Sequence, residues 1–205
     1  ALDDSVLTAN IDIVTELNVS GMEINDLTGI EGFTALTELY CGYNQITSLN
    51  LSSNPELLRL DCEVNWLTSL NLKSRHPSEF EYVYGGENPL ECVDVLDPTW
   101  AFDNWYQDNF DRSVEFAFIC GAEGRTAWHV SAGGSNNSGD GSQESPLATI
   151  QLAIDVASNG DSVLVGPGIY NENISWFNKH LTIMGAGSEE TIIDAQQLDN
   201  GVRIQ

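Results

Sequence analysis

Two stretches of the chain, Leu36–Leu51 (LTELYCGYNQITSLNL) and Leu57–Leu72 (LLRLDCEVNWLTSLNL), are nearly the same sequence. Their leucines, cysteine, asparagine, threonine and serine recur at matching positions, with a period of 21 residues. A fixed period of this length predicts a solenoid of stacked coils, in which each coil buries its apolar edge against its neighbours. We therefore expect the function of this half of the chain to lie on a surface and not in an enclosed pocket.

The shared letters of the two copies indicate which side chains point inward. Leu39 and Cys41 alternate inward on a short predicted strand. Asn44 and Asn65 stand where the chain turns away, and their side chains can bond the backbone of adjacent coils. Cys41 and Cys62 hold the same inward position, so we interpret them as small buried side chains and not as metal ligands, for which further ligands are missing.

Further copies flank the twin stretches. A degenerate copy covers residues 14–27, where Met22 replaces the asparagine, and another covers residues 80–88 after an insertion at His76-Pro77. Together these predict about four coils, more than the three that a repeat array needs for stability.

The residues after the last copy are predicted to cover the end of the array. Cys92 and Cys120 enclose an aromatic segment that includes Trp100 and Trp105. An uncovered solenoid end exposes apolar surface, so we expect a cap here. The separation of the two cysteines suits a disulfide, which would contribute about 3 kcal/mol and indicates an oxidising compartment.

The template L-x-x-L-x-C-x-x-N-x-I/L-x-x-L-x-L is a leucine-rich repeat pattern. Over residues 10–120 it resembles the 21-residue, cysteine-containing repeats of internalin-like surface proteins that bacteria secrete. The end segment from Asn88 to Cys120 resembles the one that closes such arrays in secreted Bacteroidetes-type proteins. The resemblance implies a leucine-rich-repeat domain with a C-terminal cap at residues 1–120, in a secreted or cell-surface protein.

The second half has a different pattern. Residues 121–127 are predicted to be a linker, and residues 147–157 an amphipathic helix with Ser145 as N-cap and Pro146 in the first turn. Short β-rich runs follow. Residues 128–205 resemble the N-terminal portion of a right-handed parallel β-helix of the pectate-lyase-like type, in which a helix covers the first coil. The resemblance implies a mostly β, truncated β-helix, and the central coils that carry catalysis in lyase relatives have no counterpart among these residues. It is carried by the following segments: Val130-Ser131, Gly139–Ser142, Pro146–Gln151, Ala153–Asp155, Gly160–Val163 and Pro167–Ile174.

Composition excludes several functions. The 205 residues include 31 acidic and 7 basic side chains, for a formal net charge of −24. That charge repels phosphate backbones and anionic membrane surfaces, so we expect neither nucleic acid nor membrane partners. No apolar run approaches 18 residues, which speaks against membrane insertion. The chain lacks both an initiator methionine and a signal peptide, which predicts a piece of a longer protein.

The sequence shows no catalytic constellation, so no catalytic residue, metal site or cofactor is expected. The three histidines, His76, His129 and His180, are scattered, and no nucleophile elbow, zinc-protease motif or phosphate loop is present. The run around Asp140 leaves calcium open as an alternative, although it lacks the spaced acids of an EF-hand loop.

The candidate binding residues are those at the positions of the repeat strands where the copies differ. They flank the inward leucines and are expected to form a concave aromatic and polar strip, of the residue types that anchor recognition. We expect non-catalytic recognition of a protein or polysaccharide ligand by a monomer. Two alternatives remain, a targeting region for a polysaccharide lyase or hydrolase and a structural spacer. The candidate residues are Glu38, Tyr40, Arg59, Asp61, Tyr82 and Tyr84.

Overall fold

The structure is a computed structural model that describes residues 11–105, 109–122, 124–176 and 178–195, together with the backbone of 202–204. The chain divides into two compact units, Ala1–Cys120 and Gly121–Gln205. The first strand of the second unit begins at Ala127, the last residue of the stretch predicted as a linker. No helix among the described residues is long and apolar enough to cross a membrane.

The first unit consists of coils that each contribute short strands to parallel sheets. Two four-stranded sheets result, and neighbouring strands in each sheet come from successive coils in register. The first sheet contains β1 (Glu16–Asn18), β2 (Glu38–Tyr40), β4 (Arg59–Asp61) and β6 (Tyr82–Tyr84). The second contains β3 (Ser48–Asn50), β5 (Ser69–Asn71), β7 (Cys92–Asp94) and β8 (Glu115–Ala117). The described residues of this unit also contain two 3-10 turns, Ile30–Gly32 and Pro77–Glu79, and helix α1 (Pro98–Trp105).

The core of this unit follows the alternation of the strands. The central residues Leu39, Leu60 and Val83 stack on one another and are fully buried. Cys41 and Cys62 form an adjacent buried column, and neither is disulfide-bonded. Burial raises the pKa of the Cys41 thiol to about 12 and that of Cys62 well above its usual value, so both stay protonated.

One asparagine per coil satisfies the backbone where the chain leaves the first sheet. The side-chain oxygen of Asn65 accepts a hydrogen bond from the Ile46 N–H at 3.0 Å. Its amide group donates to the carbonyl oxygens of Cys41 (3.0 Å) and Cys62 (3.2 Å), one coil back and in its own coil. Without Asn65 the Ile46 N–H would lose its partner, and each of the two carbonyl oxygens would keep a single donor, the amide of Asn44 or of Asn88. Asn44 and Asn88 make equivalent contacts in the neighbouring coils.

The residue before each asparagine has a left-handed backbone conformation. Its φ is 58° at Tyr43, 53° at Val64 and 54° at Glu87, and Gly21 takes the same place in the first coil with φ 67°. A β-branched residue such as valine is an outlier there. The turn therefore repeats because the coil requires it and not because every residue favours it.

The cysteine column ends at Gly85, which takes the place of Cys62 one coil later. A β-carbon on residue 85 would overlap the ring of Phe110, which is buried. Phe110 also packs edge-on against Phe116, with ring centroids 5.4 Å apart. Cys92 and Cys120 are joined in a disulfide across this segment.

The second unit also consists of parallel strands. β9 (Ala127–Val130), β10 (Ser162–Val165) and β13 (Thr182–Gly185) form one sheet. β11 (Gly168–Tyr170) pairs with β14 (Thr191–Ile193), and β12 (Ile174–Trp176) pairs with β15 (Val202–Ile204). Three successive strands thus enter three different sheets, and the next three pair with them in the same order.

Helix α2 (Ile150–Val156) begins later than the sequence predicted. The expected N-cap Ser145 and first-turn Pro146 precede it, because Leu147 bridges to Val130 in strand-like pairing. Thr149 is the N-cap, and its side chain accepts from the Leu152 N–H. The pairing of residue 147 therefore delays the helix by about one turn.

Candidate functional site

The outward-facing side chains of β2, β4 and β6, here called the strand face, contain all six candidate residues. They flank the buried centres of the strands, as the alternation requires. Register places Glu38 beside Arg59 and Arg59 beside Tyr82. The second row consists of Tyr40, Asp61 and Tyr84 in register, and Tyr84 is 44% exposed.

Arg59 is the centre of the first row and joins three coils. Its Nη1 lies 2.7 Å from Glu38 Oε1, and its Nε lies 2.6 Å from Glu81 Oε2. The hydrogen bond to Glu81, followed by the charges of both carboxylates, raises the pKa of Arg59. The side chains of Arg59 and Glu81 are 37% and 50% exposed, so the contribution to stability is small. The main consequence of these two contacts is that they hold the guanidinium in one orientation.

The tyrosines extend this network across the face. The Tyr40 hydroxyl donates to Glu38 Oε2 at 2.6 Å, and the Tyr82 hydroxyl donates to the Tyr40 oxygen at 3.0 Å. The hydrogen bond to Glu38, and after it the one from Tyr82, raises the pKa of Tyr40 above its ordinary value. The Tyr82 and Tyr84 rings lie 5.1 Å apart at an interplanar angle of 31°. The aromatic side chains are therefore fixed by mutual contacts and not by burial alone.

The side of the face towards the asparagine turns is more acidic. Asp61 Oδ1 accepts a hydrogen bond from the Glu63 N–H at 3.2 Å and occupies space that a side chain on Gly42 would need. Partial burial raises the pKa of Asp61, and the nearby charge of Glu63 adds to the shift. Tyr43 is 60% exposed, and the charge of Glu63 raises its pKa as well. Within the described ranges, no lysine or arginine forms an ion pair with Asp61 or Glu63.

Sequence reasoning missed Glu81 and Tyr43 as members of this surface. Glu81 stands one residue before β6, at the position that Leu58 holds before β4. Its charge is opposite to that of Arg59 in the adjacent strand, and such cross-strand complementarity is a usable signal. Tyr43 lies in the turn and outside the strand, where the alternation that identified the other residues no longer applies.

The remaining candidates lie away from the strand face. His76 caps the 3-10 turn at 77–79, and its Nε2 lies 3.3 Å from Asp97 Oδ2. Asp140 Oδ1 accepts from the Ser142 N–H at 2.7 Å, a turn contact. Among the residues that the structure describes, no group of three or more His, Cys, Asp or Glu side chains could hold a metal ion. His129 borders an open groove in the second unit, on the sheet of β9, β10 and β13.

Two proteins of Listeria monocytogenes are similar to parts of this chain. No family model matches the chain. A 51-residue stretch is 43% identical to internalin J of Listeria monocytogenes serotype 4b, and it covers 25% of this chain and 6% of that protein. A solved structure described as the functional domain of InlJ from Listeria monocytogenes, including a cysteine ladder, aligns with a TM-score of 0.39 and 20% identity. That alignment covers 86% of this chain and 36% of the other. The chain therefore spans a small part of these relatives, and its repeats are similar to those of an internalin.

Proposed function

We propose that this chain is a non-catalytic recognition or adhesion module of a secreted or cell-surface bacterial protein. It binds a protein or glycan ligand through the strand face. The observation that carries the proposal is the continuous network from Glu81 through Arg59, Glu38 and Tyr40 to Tyr82, which fixes side chains from three coils. Similarity of the repeats to internalin J supports a role at the bacterial surface.

The fixed side chains of the strand face favour a role in binding over simple surface exposure. Immobilising a flexible side chain on binding costs about 0.5–1.5 kcal/mol, and a residue that is already fixed avoids much of this cost. Tyrosine and arginine are also enriched among the residues that dominate binding energy. Both arguments apply to Tyr40, Arg59 and Tyr82, which are half-buried and hydrogen-bonded before any ligand arrives.

Two further features support an extracellular setting. The Cys92–Cys120 disulfide requires an oxidising compartment to form and persist. The net charge of −24 keeps such a protein soluble and separate from anionic surfaces.

The test is loss of binding when the aromatic row is removed. The variant Tyr82→Ala/Tyr84→Ala should lower binding to glycan arrays or to immobilised extracellular proteins about tenfold or more. Phe102→Ala is the matched control, because Phe102 is an aromatic side chain 52% exposed on α1, outside the strand face. Circular dichroism should show both variants folded. Ligand binding that survives the double substitution unchanged would show that the strand face is not the binding site, and no binding by the unaltered protein would favour the structural spacer.

We also infer that residues 88–120 form the cap of the repeat array. Trp105 and Phe110 are buried in the same apolar cluster as Phe80 and Val83 of the last repeat copy. Exposing that cluster should cause aggregation. Deletion of residues 98–120 should therefore convert the protein from a monomer to aggregates in size-exclusion chromatography, and a soluble monomer would refute the cap.

We infer in addition that the second unit is the opening portion of a right-handed parallel β-helix. β10, β11 and β12 pair in order with β13, β14 and β15. This order supports a helical coil with three sheets, in which each turn of the coil contributes one strand to each sheet. Ile169 and Ile192 are register partners and both exposed, so the pair Ile169→Cys/Ile192→Cys should cross-link with a short reagent. Ile169→Cys/Met184→Cys, with Met184 on another sheet, is the control that should not. Equal cross-linking of both pairs would contradict the arrangement.

A further inference from the structure

Two regions of the strand face differ in whether their carboxylates are paired with a cation. Around Arg59, two carboxylates already hold a guanidinium, at 2.7 and 2.6 Å. Beside the asparagine turns, Asp61, Glu63 and Glu87 form no ion pair with a lysine or arginine anywhere in the described parts of the chain. We propose that this second region, with the exposed rings of Tyr43 and Tyr84, docks a basic polypeptide segment through a lysine or arginine side chain. The inference rests on the recognition function proposed above and specifies its partner.

The site around Arg59 shows that this face accommodates a cation. There, Glu38 lies beside a tyrosine hydroxyl and contacts a guanidinium on the outward surface of a parallel sheet. The second region offers the same groups in the next rows, since Asp61 follows Tyr40 in register and Glu63 contacts Tyr43. The second region differs in that no lysine or arginine among the described residues forms an ion pair with its carboxylates.

Space for an entering side chain is provided by Gly86. Glu63 stands between Gly42 and Gly86 in successive coils, since the Tyr43 N–H donates to the Glu63 carbonyl and the Val64 N–H donates to the Gly86 carbonyl. On Gly86, a β-carbon would have only Asp111 Oδ1 within contact distance, at 4.0 Å. The face is therefore open on that side of Glu63, where the aliphatic stem of a lysine or arginine could lie.

The flanking tyrosines suit the same occupant. Tyr43 is 60% and Tyr84 is 44% exposed. A cation near an aromatic face gains about 0.5–1 kcal/mol at an exposed site. The net charge of −24 also accelerates the approach of a basic partner and repels an anionic glycan. Charge complementarity therefore favours a basic polypeptide over an anionic polysaccharide at this region.

Peptide binding tests the proposal directly. The probe is an array of ten-residue peptides with one central arginine, each paired with its citrulline counterpart, which has nearly the same shape and no charge. The unaltered protein should bind a subset of the arginine peptides and bind their citrulline partners about tenfold more weakly. Failure to bind any arginine peptide, or equal binding of the citrulline partners, would overturn the proposal.

Charge-neutral substitutions then locate the site. Asp61→Asn/Glu63→Gln should weaken the selected arginine peptides about tenfold or more in fluorescence anisotropy. Glu91→Gln/Glu115→Gln is the matched control, because it removes the same charge from exposed positions outside the strand face. Equal losses in both variants would show attraction by net charge alone and refute the site. Tighter binding of spermidine than of any arginine peptide, lost in Asp61→Asn/Glu63→Gln and kept in the control variant, would identify a small polyamine as the ligand and refute the polypeptide.

The two proposals fail in different ways. If Tyr82→Ala/Tyr84→Ala abolishes ligand binding while Asp61→Asn/Glu63→Gln leaves it intact, the recognition function stands and the basic partner is wrong. If neither variant affects any binding, the strand face is not a recognition surface.

Discussion

The two units satisfy the backbone groups outside their strands in different ways. In the first unit, called the repeat unit below, one asparagine per coil does so where the chain leaves the first sheet, and Asn65 serves both its own coil and the one before. In the second unit, different side chains each do so once. Gln151 both donates to the Ser175 carbonyl at 2.9 Å and accepts from the Ser175 N–H at 2.8 Å, as a neighbouring strand would. Glu172 accepts from the first two N–H groups of α2.

A substitution should have a different effect at a recurring side-chain contact than at a contact that occurs once. Loss of one asparagine affects two coils, because its bonds cross between them. Loss of Gln151 affects one strand edge. The repeat unit should therefore be more sensitive to changes at its recurring positions than the second unit is at its individual contacts.

The largest effect is expected for Asn65→Ala. Removing the side chain leaves the Ile46 N–H and the carbonyls of Cys41 and Cys62 without this partner in a buried site, at a cost of about 3 kcal/mol in the free energy of unfolding. Urea denaturation and native-state hydrogen exchange of the first unit measure it. Asn25→Ala, the same chemical change at an exposed position, should stay within about 0.5 kcal/mol. Equal costs at the two positions would contradict the role of the asparagine column.

Gly85→Cys should destabilise the repeat unit even though it restores the letter found in the two preceding coils. The new side chain meets the buried ring of Phe110, and overpacking of this kind costs about 2 kcal/mol. In the Phe110→Ala background the same substitution should cost less, which a double-mutant cycle detects. A neutral or stabilising Gly85→Cys would show that Phe110 does not determine where the column ends.

Alkaline pH should weaken the repeat unit through its two buried thiols. Their pKa values are raised in the folded state, so above about pH 9 the unfolded chain loses protons that the folded chain keeps. Stability therefore falls as pH rises from about 9 towards 12, by about 1.5 kcal/mol for both thiols together at about pH 9.5. The variant Cys41→Ala/Cys62→Ala, compared with the unaltered protein over this range, should have a flatter pH dependence. Parallel curves would refute this coupling.

Gln151→Ala tests the second unit and should cost about 1 kcal/mol, since two hydrogen bonds to a half-buried strand edge are lost to water. Hydrogen exchange should accelerate at the Ser175 amide and not in the repeat unit. Gln143→Ala, at an exposed position, is the control. A cost as large as that of Asn65→Ala would remove the contrast between the two units.

The smallest effect is a gain. Val64 holds φ 53°, which is unfavourable for a β-branched residue. Val64→Asn should stabilise the repeat unit by about 0.5 kcal/mol in thermal unfolding, because asparagine tolerates this conformation. Val64→Ala separates this effect from simple loss of the side chain, since alanine retains the backbone penalty. A gain with alanine as large as that with asparagine would refute the conformational explanation.

Repetition also explains how much could be predicted from the sequence. The inward residues and the register of the strands were predicted, because each position of the template is seen several times. Glu81 was not identified, although it is opposite in charge to Arg59, because its contact depends on side-chain conformations in the next coil. The helix start at Ile150 was also missed, since the pairing of Leu147 with Val130 is a long-range contact that occurs once.

The ring of Phe110 below Gly85 has a consequence for how such arrays can change in length. A duplicated 21-residue segment inserted between the coils of Cys41 and Cys62 would bring its own cysteine and asparagine, and both columns would simply continue. The same segment inserted after Gly85 would separate this glycine from the ring that fills its space. Coils can therefore be added by internal duplication in the middle of the array but not at its end. The strand face can be lengthened coil by coil while the terminal segment stays the same.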